Sequence, residues 1–436
     1  LVLDLNIPIL LLTDRADRAI TLFDELGFWL PDVQRYHFPE PTPLFYEQAA
    51  WGAVTRRDRL QALTALAMYH LPGEKKATEP VVIVSPLRAL MTRTLPRRDF
   101  LVSSRTIKLG QQINPEELLR QWVGIGYEAV DTVLDFGQFS RRGGILDVWA
   151  PSEPFPARLE FFGDEVDTIR QFNPTSQRTI KNLDELLISP AREYLQSKAG
   201  AVSPEDQNVD EFYLPLIHKM PASLLDYLPK NTLVLIDDIG NIQSFAEEIE
   251  EQAVKLRQES IEEGIFTEDF PVPYITWSEL IDSIQSMRWL ELGRSSANTV
   301  SDLAEAFLPG ERYGGRLKPF MDDLSVDCQE GTQSFVITRQ LSRLKELWQE
   351  HSGEFETKLQ PVFREGSLTE GWTLYENGTK VEQIITDNEI FGWERPLPRP
   401  RIKQTHQAPE ATFADLKPGD WVVHVDYGVG RFSGLV

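Results

Sequence analysis

Cysteine is almost absent: Cys328 stands alone among 436 residues. One cysteine excludes an internal disulfide framework and a cysteine-based zinc site, and it fits a reducing cytoplasm. Histidine is also sparse. His37, His70, His218, His351, His406 and His424 include no pair at helical ligand spacing, and H-E-x-x-H does not occur, so no metal site is expected. There is no G-x-S-x-G elbow for a serine nucleophile. A phosphate loop is missing too: Gly73-Glu74-Lys75-Lys76 lacks both the leading glycine and the hydroxyl residue that would wrap and hold a nucleotide. Asp237 and Asp238 close the run TLVLIDD in the manner of a magnesium-holding strand, but without a phosphate loop they read as a plain strand end. No apolar run approaches the roughly 20 residues of a membrane span. The opening LVLDLNIPILLLTDRADRAI has neither a basic flank nor a small-residue cleavage site, so it is not a signal peptide. The chain begins at Leu1 without Met, and its last stretch is too short to bury a core, so the natural polypeptide is expected to extend at both ends.

Positive charge is in short supply as well. Lys and Arg number 44 against 67 Asp and Glu, a net charge of −23. Proteins that grip phosphate backbones present a basic face. This chain as a whole repels DNA at long range, so weak or no DNA binding is expected.

What is present is enough apolar material, 41% of residues with ten Trp, for several cores. The length corresponds to about three domains. The runs PILLL (8–12) and PVVIVSP (80–86) read as buried strands. Between them lie a helix capped by Thr13 or Asp14 and ending near Gly27, a proline-punctuated loop RYHFPEPTPLFYEQ, and a long helix over 56–70. The pattern changes at residue 106. Asn114-Pro115 opens a helix, and short strands then recur about every ten residues, as in an antiparallel sheet. The α/β style returns with NTLVLIDD. The reading is a multidomain α/β chain: 1–105, an α+β domain inserted at 106–195, a return at 196–325, a small α/β domain at 326–394, a Pro-rich basic linker at 395–414, and the start of a β domain at 415–436. Residues 326–394 carry no motif and read as a spacer.

One stretch poses a functional question: RRGGILDVWAPSEPFPARLEFFGDEVDTIR, residues 141–170. Period two puts one of Phe161 and Phe162 inside and the other outside. An outward Phe flanked by Arg142 and Arg158 has the composition of a protein-binding hot spot. The same residues also suit ordinary surface charges beside a Phe pair shared between two cores, and from the pattern alone both readings stand.

Resemblance adds to this. F-x-x-R-G-G-I-L-D-V-W, P-x-R-L-E-F-F-G-D-E-V-D-T-I-R-x-F and T-S-Q-R-T, over 139–179, resemble the segment shared by the excision-repair protein UvrB and the N-terminal part of the transcription-repair coupling factor (Mfd) family. HFPEPTPLFYE (37–47), ITDNEIFGWE (385–394) and GDWVVHVDYGVGRFSGL (419–435) resemble the coupling factors. The last of these resembles the opening of their CarD-like, RNA-polymerase-interacting domain, which UvrB lacks. The resemblance implies a UvrB-like domain that has lost its ATPase, split by a domain that binds UvrA. It carries the UvrA-binding residues onto Arg142, Arg158 and Phe162. It further implies a non-catalytic, cytoplasmic adaptor that recruits UvrA to RNA polymerase through its beta subunit. ATP and Mg would serve only motor domains C-terminal to these residues. The alternative is a divergent UvrB-like helicase piece that binds ATP and DNA. The adaptor reading expects Arg158→Ala or Phe162→Ala to abolish UvrA binding while leaving stability within about 1 kcal/mol, as surface changes do.

Overall fold

A computed structural model describes residues 5–71, 79–195, 210–220, 222–292, 306–352 and 359–392, together with the backbone of 421–424 and 428–431. These residues fall into two compact units, one drawn from 1–62, 68–93 and 221–401, the other from 63–67, 94–220 and 402–436.

The first unit opens with β1 (Ile9–Thr13), β2 (Gln34–His37) and β3 (Val81–Pro86). Eight strands of the second unit intervene: β4 (Arg105–Lys108), β5 (Glu128–Ala129), β6 (Gln138–Arg142), β7 (Ile145–Val148), β8 (Ala157–Phe162), β9 (Glu165–Phe172), β10 (Thr179–Asn182) and β11 (Glu185–Ile188). The chain then returns with β12 (Leu233–Ile236) and β13 (Arg288–Glu291) to complete a parallel sheet of order β13-β12-β1-β3-β2. β1 and β3 are buried along their whole length, which is why they read as unbroken apolar runs. Two buried arginines hold the proline loop. Arg59 donates to the Pro39 carbonyl at 3.1 Å and lies over the Phe38 ring, and Arg88 donates to the Pro41 and Pro43 carbonyls at 2.6 and 2.8 Å and to Glu40.

A second sheet of this unit comprises β14 (Phe307–Pro309), β15 (Gln333–Thr338), β16 (Val362–Glu365), β17 (Trp372–Glu376) and β18 (Thr379–Thr386), in the order β14-β17-β18-β15-β16. The boundary expected at 325/326 is therefore misplaced. It cuts the helix Leu317–Glu330, whose Phe320, Met321, Leu324 and Cys328 share one core with Val336, Leu344 and Trp348. Nor is the region a detached spacer. Thr369 donates to Glu25 Oε1 from both its backbone N and its Oγ1, each at 2.6 Å, which ties it to the helix Ala16–Trp29. Gly366 sits so close to Phe28 of that helix that an added Cβ would lie 2.6 Å from the ring.

The second unit is built on a six-stranded sheet of order β10-β9-β8-β7-β6-β5, antiparallel except for the β5–β6 pair. The helix Pro115–Gly124 covers one face. Its cap is the expected one: Asn114 Oδ1 accepts from the backbone N of Glu116 and Glu117 at 3.0 and 3.2 Å. Leu118 and Trp122 of the helix meet Leu146, Val148, Leu159, Val166 and Ile169 of the sheet. The expected start of this domain at 106 falls in β4, which pairs with β11. The compact unit around it also takes in residues from Thr94, whose hydroxyl donates to the buried Glu193 at 2.6 Å. The linker expected at 395–414 lies outside the described residues. Beyond it, β19 (Trp421–His424) and β20 (Gly428–Arg431) form an antiparallel pair.

Candidate partner-binding face

The site expected at Arg142, Arg158 and Phe162 lies on the six-stranded sheet, on the face opposite the helix. Two tight hairpins create it. Gly143-Gly144 joins β6 to β7 with Arg142 paired to Ile145, and Gly163-Asp164 joins β8 to β9 with Phe162 paired to Glu165. Gly143 and Gly163 both adopt φ +63°, the left-handed conformation that two-residue hairpins require and that glycine adopts without strain. β6 and β8 run in the same direction in the meander, so Arg142 and Phe162 emerge at the same end of the sheet.

Along β8, Ala157, Leu159 and Phe161 face the core, while Arg158, Glu160 and Phe162 face away. A bulge opposite Phe161 leaves Asp167 of β9 unpaired without disturbing this alternation. Phe161 packs on the core, and Phe162 is 83% exposed. An aromatic ring held that far into solvent at a hairpin tip gains nothing from the fold it belongs to. Arg142 is exposed as well, and among the described residues no ion pair engages it. Its neighbour Arg141 is committed to Glu116 and to the Gly143 carbonyl.

Arg158 is different. It sits four residues before Phe162, roughly 13 Å along the strand at about 3.4 Å per residue. Its guanidinium donates to both carboxylate oxygens of Asp147, from Nε at 2.6 Å and from Nη2 at 2.8 Å, and also to Gln177 at 2.8 Å. It lies 4.5 Å over the Phe172 ring. Its side chain is only 16% exposed and that of Asp147 4%. The Asp147 hydrogen bonds raise the Arg158 pKa above its ordinary value against the opposing effect of burial. Arg158 is thus a half-built part of the sheet's polar face, and its fork toward Asp147 is already occupied. The expectation that Arg158→Ala leaves stability nearly unchanged does not survive this geometry. Alongside, Glu160 accepts from Arg170 and from Thr168 Oγ1, so β8 and β9 carry a second satisfied charge pair. Asp147, Gln177 and Phe172 were not singled out from the sequence. Their role depends on cross-strand register, which brings Arg158 opposite Asp147.

The first sheet carries a crevice of its own. A cavity of about 550 Å³ lies off the carboxyl ends of β1 and β12, where open α/β sheets bind ligands. After β1 the chain reads Thr13-Asp14-Arg15-Ala16-Asp17-Arg18, without glycine. Arg18 is clamped on Asp237 at 2.8 and 3.2 Å, and Asp238 caps the helix Ile239–Glu262 through the backbone N of Asn241. Asp14, Asp17, Asp237 and Asp238 line the cavity together with Arg15 and Arg18, and both arginines face carboxylates, Arg15 at Glu248 and Arg18 at Asp237. The two aspartates that imitate a magnesium site are a salt-bridge partner and a helix cap.

Comparison with known proteins places the face in context. Residues 106–194 match the family model of the UvrB interaction domain, and 416–436 match that of the CarD-like/TRCF RID domain. The chain is thus a mixed α/β protein carrying a UvrB interaction domain and part of a CarD-like one. Over nearly its whole length it is similar to transcription-repair-coupling factors. It is 25% identical to that of Bacillus subtilis (strain 168) over 487 aligned residues and 29% identical to that of Myxococcus xanthus over 507. The coupling factor of Staphylococcus aureus (strain MRSA252) is 23% identical. In each case the alignment covers 99% of this chain and 40% of the relative, so the chain spans about two-fifths of the length of the curated relatives it matches.

Proposed function

We propose that this chain is a non-catalytic adaptor of transcription-coupled excision repair. In this reading the hairpin face of the six-stranded sheet recruits UvrA, and the residues from 415 onward begin a platform for the beta subunit of RNA polymerase. The observation that carries it is Phe162: a ring 83% exposed at a hairpin tip, at the same sheet end as the unengaged Arg142, within a segment matching the UvrB interaction domain. Such an aromatic and arginine pair is the usual make-up of an interface hot spot. Arg158 acts chiefly through position, keeping Asp147, Gln177 and Phe172 in one flat surface beneath the partner. No cofactor is assigned to these residues, and the work of the adaptor takes place in the cytoplasm.

The test is a calorimetric titration of the whole chain against UvrA. Wild type binds, and Phe162→Ala and Arg142→Ala each lose binding while unfolding at the wild-type denaturant concentration. Full binding by the Arg142→Ala/Phe162→Ala double variant would remove this face from the reading.

A further inference from the structure

At the opposite end of the first sheet from the acidic crevice lies a second cavity, of about 620 Å³. Lys230 and Met287 line it shortly before β12 and β13 begin, so it belongs to the amino ends of these strands. Its volume falls within the few hundred to 1,000 Å³ or so of small-molecule pockets. Leu225, Leu228 and Ile275 supply an apolar wall, and Arg93 and Lys230 bring two positive charges to it.

Arg93 is the anomaly. Its Nε is sealed from solvent without a hydrogen-bond partner. The residue is half-buried, and burial lowers its pKa while the nearby Glu279 and Tyr46 oppose the shift, but among the described residues no side-chain hydrogen bond engages its guanidinium. A buried donor without an acceptor is costly, and such groups in folded proteins ordinarily have a partner. The backbone fixes the position: Thr92 bridges to Tyr274, and the Arg93 N donates to the Pro273 carbonyl at 3.4 Å. Neither of the cavity's own carboxylates hydrogen-bonds Arg93, although the charge of Glu279 lies near enough to act on it. Asp226 accepts from the Ser223 N at 2.8 Å, and Glu279 accepts from the Thr276 N and Oγ1 at 2.9 and 2.8 Å, each within a capping box.

We propose that this cavity binds a small organic oxyanion, carboxylate or phosphate, whose charged group pairs with Arg93 and Lys230 while its apolar body rests on Leu225, Leu228 and Ile275. The planar guanidinium fork matches both anion geometries, and the free donors supply charge-assisted hydrogen bonds that no protein group now accepts. The inference stands apart from the UvrA reading, since none of these residues belongs to the six-stranded sheet.

The experiment titrates phenyl phosphate and benzoate into the whole chain by calorimetry at fixed ionic strength, and follows the Arg93 Nε–H resonance by NMR. Saturable one-to-one binding of at least one probe, with movement of that resonance, is expected. Binding of phenyl phosphate alone assigns a phosphate ligand, and binding of benzoate alone a carboxylate. Arg93→Met and the exposed-site variant Lys230→Met each weaken binding about tenfold or more, as loss of a charged hydrogen bond does. Ligand-free Arg93→Met unfolds at about the wild-type denaturant concentration, because it loses no hydrogen bond to a side chain and only the field of the exposed Glu279. The proposal is overturned if neither probe saturates, or if both variants bind as wild type does. Earlier unfolding of Arg93→Met would also overturn it, since the guanidinium would then be structural.

Discussion

Phe162 and Arg158 were drawn from the sequence as equals, and the structure separates them. That one of Phe161 and Phe162 turns outward was legible because strand alternation is local, whereas the choice of Phe162 came from the resemblance alone. The capture of Arg158 was not legible, because Asp147 reaches it only through a cross-strand register set by two hairpins. The separation has consequences for stability. Phe162→Ala should change unfolding free energy by less than about 1 kcal/mol, since the ring packs on nothing. Arg158→Ala should cost about 3 kcal/mol, because it leaves the buried Asp147 carboxylate unpaired. Equal denaturation midpoints for the two variants would contradict this. Glu211 was invisible for a related reason: nothing in DEFY signals burial. Burial pushes its pKa up to about 7, with Arg192 opposing and Glu193 reinforcing the shift. The folded chain therefore holds a proton that the unfolded chain, with an ordinary carboxyl value near ~4.3, releases. The resulting stability is complete below that value and is lost as pH rises to about 7. Unfolding free energy should fall by on the order of 2 kcal/mol between pH 5 and pH 8 through this group, and Glu211→Gln should flatten the profile.

Elements were read best where one local signal decided them. Asn114-Pro115 marks a helix start by chemistry that needs no tertiary context, and the cap is there. Asn114→Ala should cost about 1 kcal/mol, measurable by urea denaturation. The apolar strands β1 and β3 were legible because both of their faces are covered. The helix after β1 was read less well. It begins at Ala16 after Arg15, without a side-chain cap, because Asp14 Oδ1 accepts from the Arg15 N instead. It continues past Gly27 to Trp29. Glycine there leaves room for the Arg35 guanidinium, which lies 2.4 Å from where a Cβ would stand. A glycine inside a helix and one that stops a helix look alike in a sequence.

For the whole molecule, the α/β character and the interruption of the first sheet were legible, and the docking of the 307–391 region was not. Glu25 and Thr369 lie far apart in the chain, and no pattern links them. A double-mutant cycle of Glu25→Ala and Thr369→Ala should give a coupling of about 1 kcal/mol or more, whereas a loosely tethered spacer would give none. The placement of β12 has a further consequence, for the order of events during synthesis. β1 pairs with β3 on one side and β12 on the other, and the whole six-stranded meander is translated between β3 and β12. The meander has short-range contacts and is able to collapse as it leaves the ribosome, whereas β1 keeps one edge open until β12 arrives. The nascent chain thus passes through a stage in which the hairpin face of the meander is finished and its host sheet is not. That stage is the one at which a chaperone would find an apolar strand edge to hold.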